Sequence, residues 1–270
     1  MTRLTSDDVS VIGETIKGYD DFLRARVGVS SLGMAEFFAG NKEICKALSK
    51  SSAAVVPITS GLGVINGFTE AVQAILKHIG IEAFITNGTD VAGFYEAFVK
   101  GVNLIFAADD NVFSAFNLKT GKAVDNSFAT GRAYAMALEL AAKSLKGKTV
   151  TVVGAGQVGA SAIDYLISKN AKVIVVEINE EKVKRLKKKY KTVSSMNDLS
   201  DAVEQTSLVL IAAPADGVLT EKMIKPEMIV SSPAIPVGLT ESAMRKLPED
   251  NLIHDPLQLG VISMAALALK

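Results

Sequence analysis

The chain has 270 residues, of which 49% are hydrophobic and 21% are charged, and its formal net charge at pH 7 is zero. This composition is typical of a folded protein with a substantial core, and the length is enough for two modest domains. Because the charges balance, no general basic surface is expected to bind nucleic acid or an anionic membrane.

Cysteine, histidine and apolar content narrow the class further. The single cysteine, Cys45, excludes an intrachain disulfide. The first residues contain no apolar signal core, and no apolar stretch reaches the roughly 18 residues that a membrane-spanning helix needs. The two histidines, His78 and His254, are far apart and have no cysteine beside them, so no metal site is predicted. We therefore expect a cytoplasmic protein.

The leading segment is predicted to be helical. Ser6 is expected to cap the first helix, and Val9, Ile12 and Ile16 then recur at helical spacing. A short second helix is predicted over Met34–Phe38.

From residue 53 onward, short apolar runs alternate with polar loops and helical segments. This alternation predicts parallel βαβ units. The predicted strands of this region are Ala53–Ile58, Ala83–Thr86 and Leu104–Ala108. Helices are predicted near Phe68–Ile79 and Phe94–Val99, and a turn is predicted at Lys119–Lys122.

A long alanine-rich segment, Ala129–Leu145, predicts a helix that bridges two domains. After it, strands are predicted at Thr149–Val153, Lys172–Val176, Leu208–Ala212, Met228–Val230 and Leu252–Ile253, and helices at Ala160–Ser168, Glu180–Tyr190 and Leu259–Leu269. The fold class is therefore α/β. Residues 1–145 are predicted to form a smaller helical and parallel α/β substrate domain, and residues 146–270 a C-terminal Rossmann dinucleotide-binding domain.

A glycine-rich motif, Gly154-Ala155-Gly156-Gln157-Val158-Gly159, lies between a predicted strand and a predicted helix. Gly154 would permit a tight turn, Gly156 would let the backbone approach a pyrophosphate, and Gly159 would let the helix pack close to the sheet. The amide groups at the helix start would then face the phosphates. The motif predicts a dinucleotide site, and the alternative is a turn that binds nothing.

Glu177 ends the next predicted strand, near the spacing of about 20 residues at which ribose-binding acids follow such motifs. Its carboxylate would accept hydrogen bonds from the adenosine ribose and would repel a 2′-phosphate. NAD is therefore predicted as the cofactor rather than NADP. This acid has no purely structural reason to be there, which favours the dinucleotide site over an empty turn.

Two later loops are predicted to border the same cofactor cleft. The segments Ala212-Ala213-Pro214 and Ser231-Ser232-Pro233 follow predicted strands, and the carboxyl ends of parallel strands lie along the cleft. The alternative for both segments is an ordinary turn that ends a strand and contacts no ligand.

The front strands end in polar loops that should share one edge of their sheet. Those loops carry Thr59-Ser60-Gly61, Asp90 and Asp109-Asp110-Asn111. Asp109 and Asp110 would hold a cationic amine or take a proton from one, and the alternative is a solvated Asx-turn. Amide groups of the Ser60–Gly63 loop would hold a carboxylate, and the alternative is simple capping of the next helix.

Several of these segments resemble the pyrrolysine synthase family, NAD-dependent dehydrogenases that complete pyrrolysine biosynthesis. The resemblance covers nearly the whole chain from Leu4 onward. It is carried by Val56–Gly63, Phe84–Thr86, Ala108–Asn111, Asn117–Lys119, Gly154–Gly159 and Asp255–Leu257.

The resemblance implies a substrate and a reaction. The substrate would be L-lysine carrying 3-methyl-D-ornithine on its ε-nitrogen, whose terminal amine is oxidised by NAD. Ammonia would leave, and the resulting aldehyde would condense with the α-amine to close the pyrroline ring. Relatedness to dimeric dehydrogenases further implies a homodimer.

The resemblance also implies roles for particular residues. Substrate contacts are carried over to Leu4, Ser60, Phe68 and Asp109, and cofactor contacts to the glycine motif, Glu177, Ala213, Pro214 and Pro233. Because only a neutral amine can lose a hydride, Asp109 is hypothesised to accept the amine's proton. Another amino-acid dehydrogenase with the same domains, or an NAD-binding regulatory module without turnover, is the alternative function.

Overall fold

The structure is a computed structural model that describes residues 4–270. Two β-sheets organise these residues. The helices are α1 Ser6–Ser10, α2 Ile12–Thr15, α3 Tyr19–Val27, α4 Ser31–Ala39, α5 Glu43–Ser49, α6 Phe68–His78, α7 Asp90–Val99, α8 Asn126–Ala141, α9 Gln157–Ser168, α10 Glu180–Lys189, α11 Leu199–Glu204, α12 Glu241–Lys246 and α13 Gln258–Leu269. The strands are β1 Ser52–Val56, β2 Glu82–Ile85, β3 Leu104–Ala108, β4 Phe113–Asn117, β5 Ala123–Asp125, β6 Thr149–Val153, β7 Lys172–Val176, β8 Val193–Met196, β9 Leu208–Ile211, β10 Ile229–Ser231 and β11 Leu252–Ile253.

The first sheet has the strand order β2-β1-β3-β4-β5. Strands β1, β2 and β3 are parallel, as predicted, whereas β4 and β5 add an antiparallel hairpin that the sequence interpretation missed. The predicted turn at Lys119–Lys122 is confirmed as the turn of this hairpin, where the Gly121 amide donates to the Asn117 carbonyl at 2.9 Å. The three predicted strands are therefore confirmed as parallel, and the hairpin makes the complete sheet mixed.

The second sheet has the order β11-β10-β9-β6-β7-β8, and all its strands are parallel. The direction of winding reverses between β6 and β9, which is the switch point of a Rossmann sheet. The predicted Rossmann fold is confirmed. Strand β8 was missed because its sequence, VSSM, is partly polar and the strand lies at the sheet edge.

Helix α8 connects the two sheets, as predicted for a bridging helix. It begins at Asn126 rather than Ala129, because the Asp125 carboxylate accepts a hydrogen bond from the Phe128 amide at 3.0 Å and caps the helix. At Gly131 an added Cβ would lie 2.2 Å from the Val158 carbonyl oxygen of α9. The two helices therefore pack with almost no space between them.

Helix α13 is almost entirely buried and packs against α4, α6 and β4 of the first half. It lies in the 146–270 range that the sequence interpretation assigns to the Rossmann domain. The division of domains at residue 145 stays a prediction. No helix within residues 4–270 is both long enough and apolar enough to cross a bilayer.

The cap of α1 differs from the expectation. Thr5, rather than Ser6, precedes the helix, and its amide donates to the Asp8 carboxylate at 2.7 Å. Thr5 and Asp8 form a reciprocal capping box, in which the side chain of each residue accepts a hydrogen bond from the backbone amide of the other.

Candidate active site

A cavity of about 700 Å³ is lined by residues from both halves of the chain. The glycine motif contributes Gly156, Gln157 and Val158, and the end of the first sheet contributes Asp109 and Asp110. This volume lies in the range of small-molecule sites. The cavity is therefore the candidate active site.

The three glycines of the motif have the geometry that their spacing predicts. Gly154 has a φ of +90°, and an added Cβ would lie 2.9 Å from the Ala213 amide nitrogen. At Gly159 an added Cβ would lie 2.1 Å from the Gly154 carbonyl oxygen, so only glycine lets α9 approach β6 this closely. At Gly156 no atom lies within 4 Å of an added Cβ. The backbone is therefore open on the cavity side, as a pyrophosphate requires.

Glu177 lies beside the motif with a side chain that is 7% exposed. One carboxylate oxygen accepts the Ala155 amide at 2.7 Å and the other accepts the Asn179 amide at 2.9 Å. Burial raises the pKa of Glu177, but these amides and the Lys182 ammonium, 3.8 Å away, hold its pKa below the usual value. The residue is therefore an anion at neutral pH.

The two later loops border the cavity at different depths. Pro214 and Pro233 line it, whereas Ala213 does not and instead packs its amide nitrogen against Gly154. The loop with Ala213 and Pro214 follows strand β9, and the loop with Pro233 follows strand β10. The expected position of these loops along the cleft agrees with the structure, while their contacts with a cofactor stay predictions.

Asp109 combines the two interpretations that the sequence left open. Its Oδ1 accepts the Asn111 and Val112 amides at 2.7 Å each, which is an Asx-turn, and the residue also lines the cavity. The Val112 and Asn111 hydrogen bonds hold the pKa of Asp109 below its usual value. Its second oxygen, Oδ2, has no hydrogen-bond partner within residues 4–270. That oxygen is available to a ligand.

The two other acids of this edge stabilise the loop after β1. Asp90 accepts the Thr59 amide at 2.8 Å, and Asp110 accepts the Leu62 amide at 2.8 Å. Asp110 also approaches Gly61 so closely that an added Cβ would lie 2.1 Å from its carboxylate. The predicted convergence of these loops is confirmed, but two of the acids serve to hold the loop.

The Ser60–Gly63 loop differs from the expected helix start, so carboxylate binding by its amides stays a prediction. Helix α6 begins only at Phe68, so this loop does not form the first turn of the helix. The Leu62 amide is already bonded to Asp110. Ser60 is exposed and lies outside the residues that line the cavity.

Phe68 and Leu4, the two apolar residues carried over as substrate contacts, both line the cavity. Phe68 meets Phe113 edge to face, with ring centroids 5.2 Å apart. Leu4 is half-buried against the same hydrophobic core. Together they make part of the cavity wall apolar.

The sequence interpretation missed a polar wall of the cavity at the start of α8, formed by Asn126, Ser127 and Thr130. Asp125-Asn126-Ser127 is a typical helix start, but only the unpredicted β4–β5 hairpin brings it to the cavity. If the turn at Lys119–Lys122 had been interpreted as the connection between two strands, the sequence would have placed the start of α8 at the end of this sheet.

Asp255 was singled out only as part of a resembling segment. It lines the cavity, its Oδ2 accepts the Tyr19 hydroxyl at 2.8 Å, and its Oδ1 accepts the Leu257 and Leu259 amides at 3.1 Å each. Burial raises the pKa of Asp255, although the Tyr19 hydroxyl opposes the shift. These bonds fix the start of α13 at the cavity.

The described lining residues include no lysine, arginine or histidine. Within residues 4–270, no group of three or more His, Cys, Asp and Glu side chains is placed to hold a metal ion. Anionic ligand groups must therefore depend on backbone amides and helix N-termini in this part of the chain, whereas Asp109 suits a cation.

Two family models match successive parts of the chain. The model described as "Pyrrolysine biosynthesis protein PylD, N-terminal domain" matches residues 1–124, and the model described as "Shikimate / quinate 5-dehydrogenase" matches residues 136–235. Pyrrolysine synthase of Methanosarcina acetivorans is 32% identical over 98% of this chain and 98% of its own length. The enzyme of the same name from Methanosarcina barkeri is 32% identical over 98% of this chain and 97% of its own length.

Solved structures share the architecture at low sequence identity. Shikimate dehydrogenase from Aquifex aeolicus has a TM-score of 0.55 and 18% identity, covering 80% of this chain and 91% of its own. Quinate dehydrogenase from Corynebacterium glutamicum, solved in complex with NAD, has a TM-score of 0.54 and 14% identity, covering 81% and 92%. Identities this low show the fold alone, namely an α/β chain with a Rossmann domain in its second half.

Proposed function

Because the chain belongs to the pyrrolysine synthase family of dehydrogenases, we propose that it completes pyrrolysine from L-lysine carrying 3-methyl-D-ornithine on its ε-nitrogen. One observation carries the proposal: a single cavity is lined both by the glycine motif and by Asp109. A redox cofactor seated at the motif and an amine held by Asp109 would therefore meet in one enclosed space.

The residues of the motif fit a nicotinamide dinucleotide. Gly156 leaves open the space that a pyrophosphate needs, and the N-terminus of α9 offers amide groups to it. Glu177, ionised at neutral pH, would accept the ribose hydroxyls. We propose NAD rather than NADP because this carboxylate already engages Lys182 and would repel a 2′-phosphate.

The proposed reaction removes a proton and then a hydride from the substrate's terminal ammonium. Bound NAD would supply the hydride acceptor, and the proton would pass to solvent water. Loss of the hydride from the neutral amine would leave a protonated imine, which water would convert to an aldehyde with release of ammonium. The α-amine of the ornithyl part then attacks the aldehyde, water leaves, and the pyrroline ring closes. Each turnover yields one NADH and one ammonia.

Asp109 is the proposed catalytic residue and a substrate contact. Its lowered pKa keeps the carboxylate ionised, so Oδ2 would hold the terminal ammonium. The same lowered pKa makes it a weak base, which favours cation binding over proton acceptance. Leu4 and Phe68 would contact the aliphatic part of the substrate, whereas the predicted contact with Ser60, which lies outside the cavity lining, rests on the family resemblance alone.

Turnover of the isopeptide-linked substrate tests the proposal. The purified chain, NAD and the substrate should give NADH absorbance at 340 nm, ammonia in equal amount, and a product with the mass of pyrrolysine. Free lysine and free ornithine serve as controls. NADH formation from a control but none from the substrate would contradict the proposal. The expected homodimer stays a prediction, which light scattering would test.

A further inference from the structure

The start of α8 brings a buried hydroxyl to the cavity. Ser127 is the second residue of α8, lines the cavity and is 2% exposed. Its hydroxyl makes no hydrogen bond with any residue in the range 4–270, and the oxygen is open to the cavity rather than sealed in the core. Because the rest of the residue is buried, a partner for this hydroxyl is expected to come from the cavity.

The neighbouring hydroxyls on this side of α8 are already engaged. Thr130 donates to the Asn126 side-chain oxygen at 3.0 Å, and Tyr134 donates to the Asp255 carbonyl at 2.7 Å. Ser127 is therefore the hydroxyl of this wall that remains for a ligand.

The position of Ser127 is fixed from both halves of the chain. Strand β5 ends at Asp125, just before α8, and Ser161 of α9 donates its hydroxyl to the Phe128 carbonyl at 2.7 Å. The close contact at Gly131 adds a second point of fixation against α9. Ser127 thus lies where the first sheet meets the helix of the glycine motif, in the wall of the cavity that both proposed ligands would share.

The charge around this wall indicates the chemical class of its ligand. Asp125 caps α8, so its carboxylate offsets the positive end of the helix dipole and disfavours an anion. A hydroxyl both donates and accepts, which matches a neutral amine that has a lone pair and N–H groups.

We propose that the Ser127 hydroxyl hydrogen-bonds the terminal amine nitrogen of the substrate and positions the carbon that loses the hydride. This inference rests on the proposed function. Asp109 attracts the cation, whereas Ser127 orients the amine once the proton has left. Orientation of the reacting carbon is a major part of catalysis when two ligands must meet in line.

Kinetics and binding of Ser127→Ala test this inference. We expect kcat/KM to fall about tenfold, chiefly through kcat, as loss of one hydrogen bond in the transition state predicts. The NADH dissociation constant, measured by fluorescence titration, should change less than twofold, and Tm should be unchanged. With substrate deuterated at the carbon bearing the amine, the isotope effect should rise, because hydride transfer becomes slower.

Ser161→Ala is the matched control, since it removes a hydroxyl that contacts α8 but lies outside the cavity lining. It should keep wild-type kcat/KM and isotope effect. A tenfold loss of NADH affinity with unchanged kcat in Ser127→Ala would assign the hydroxyl to the cofactor and overturn the inference. Unchanged kinetics in Ser127→Ala would also overturn it. If the wild-type chain makes no NADH from the substrate, the proposed function itself fails and this inference falls with it.

Discussion

The glycine motif and the acidic edge of the first sheet are two ligand-facing regions with different origins. At the motif, the backbone defines the site, and each glycine lies where its spacing requires. At the acidic edge, side chains define the site, and Asp90 and Asp110 hold the loop while Asp109 faces the cavity. Spacing can therefore predict the backbone geometry of such a loop, but it cannot tell which of several acids a loop itself uses.

The largest expected effect separates packing from binding within the motif. Gly159→Ala would force a Cβ to within 2.1 Å of the Gly154 carbonyl oxygen, and we expect a loss of about 3 kcal/mol in the free energy of unfolding. Gly156→Ala meets no atom within 4 Å, so Tm should be unchanged while NAD affinity falls about tenfold. Denaturant unfolding and fluorescence titration check both. Equal stability losses in the two variants would contradict the different roles assigned to the two glycines.

The second effect separates the two adjacent acids. Asp109→Asn keeps an oxygen for the Asx-turn but removes the charge, so kcat/KM should fall about tenfold to 100-fold with NADH affinity unchanged. Asp110→Asn should weaken the bond to the Leu62 amide and lower Tm by a few degrees. Steady-state kinetics and thermal unfolding distinguish the two. A larger loss of kcat/KM in Asp110→Asn than in Asp109→Asn would contradict the assignment of Asp109 to the ligand and Asp110 to the loop.

A third, smaller effect concerns the choice of cofactor. Glu177→Gln should weaken NAD about tenfold and improve NADP, because the Lys182 ammonium, 3.8 Å from the carboxylate, becomes free to meet a 2′-phosphate. The double variant Glu177→Gln/Lys182→Ala should lose the gain for NADP. Dissociation constants for both reduced cofactors measure this. Unchanged preference in the single variant would refute the assignment of Glu177 to the ribose.

The smallest effect is the pH dependence of cofactor binding. The pKa of folded Glu177 lies below its usual value of about 4.3, so the carboxylate is ionised from pH 9 down to pH 5. The NADH dissociation constant should therefore vary less than twofold over that interval and rise only below about pH 4. Fluorescence titration at each pH checks this expectation. A midpoint above pH 5 would show that the carboxylate is not held in its charged form.

The same contrast explains how much the sequence could predict. Strands β3, β6, β7 and β11 have the predicted bounds, because an apolar run between polar loops marks a buried parallel strand. Strands β4 (FSAFN), β5 (AVD) and β8 (VSSM) each contain polar residues, so none of them forms the continuous apolar run that marks the other strands.

Because the β4–β5 hairpin was not predicted, one wall of the cavity was not predicted either. Without β4 and β5, nothing in the sequence places Ser127 and its neighbours near the glycine motif. Likewise, the hydrogen bonds that engage Asp110 but leave Asp109 Oδ2 open depend on a loop from a distant part of the chain. Such partners are set by tertiary contacts, which single-sequence patterns do not encode.

The packing of α13 against the first sheet has a consequence for biosynthesis. The ribosome makes the strands of the second sheet before it makes α13, yet α13 fills the core beside α4 and α6. During translation the nascent first half therefore keeps an apolar groove until this helix emerges. The core of the first half is therefore complete only once residues 258–269 have been made.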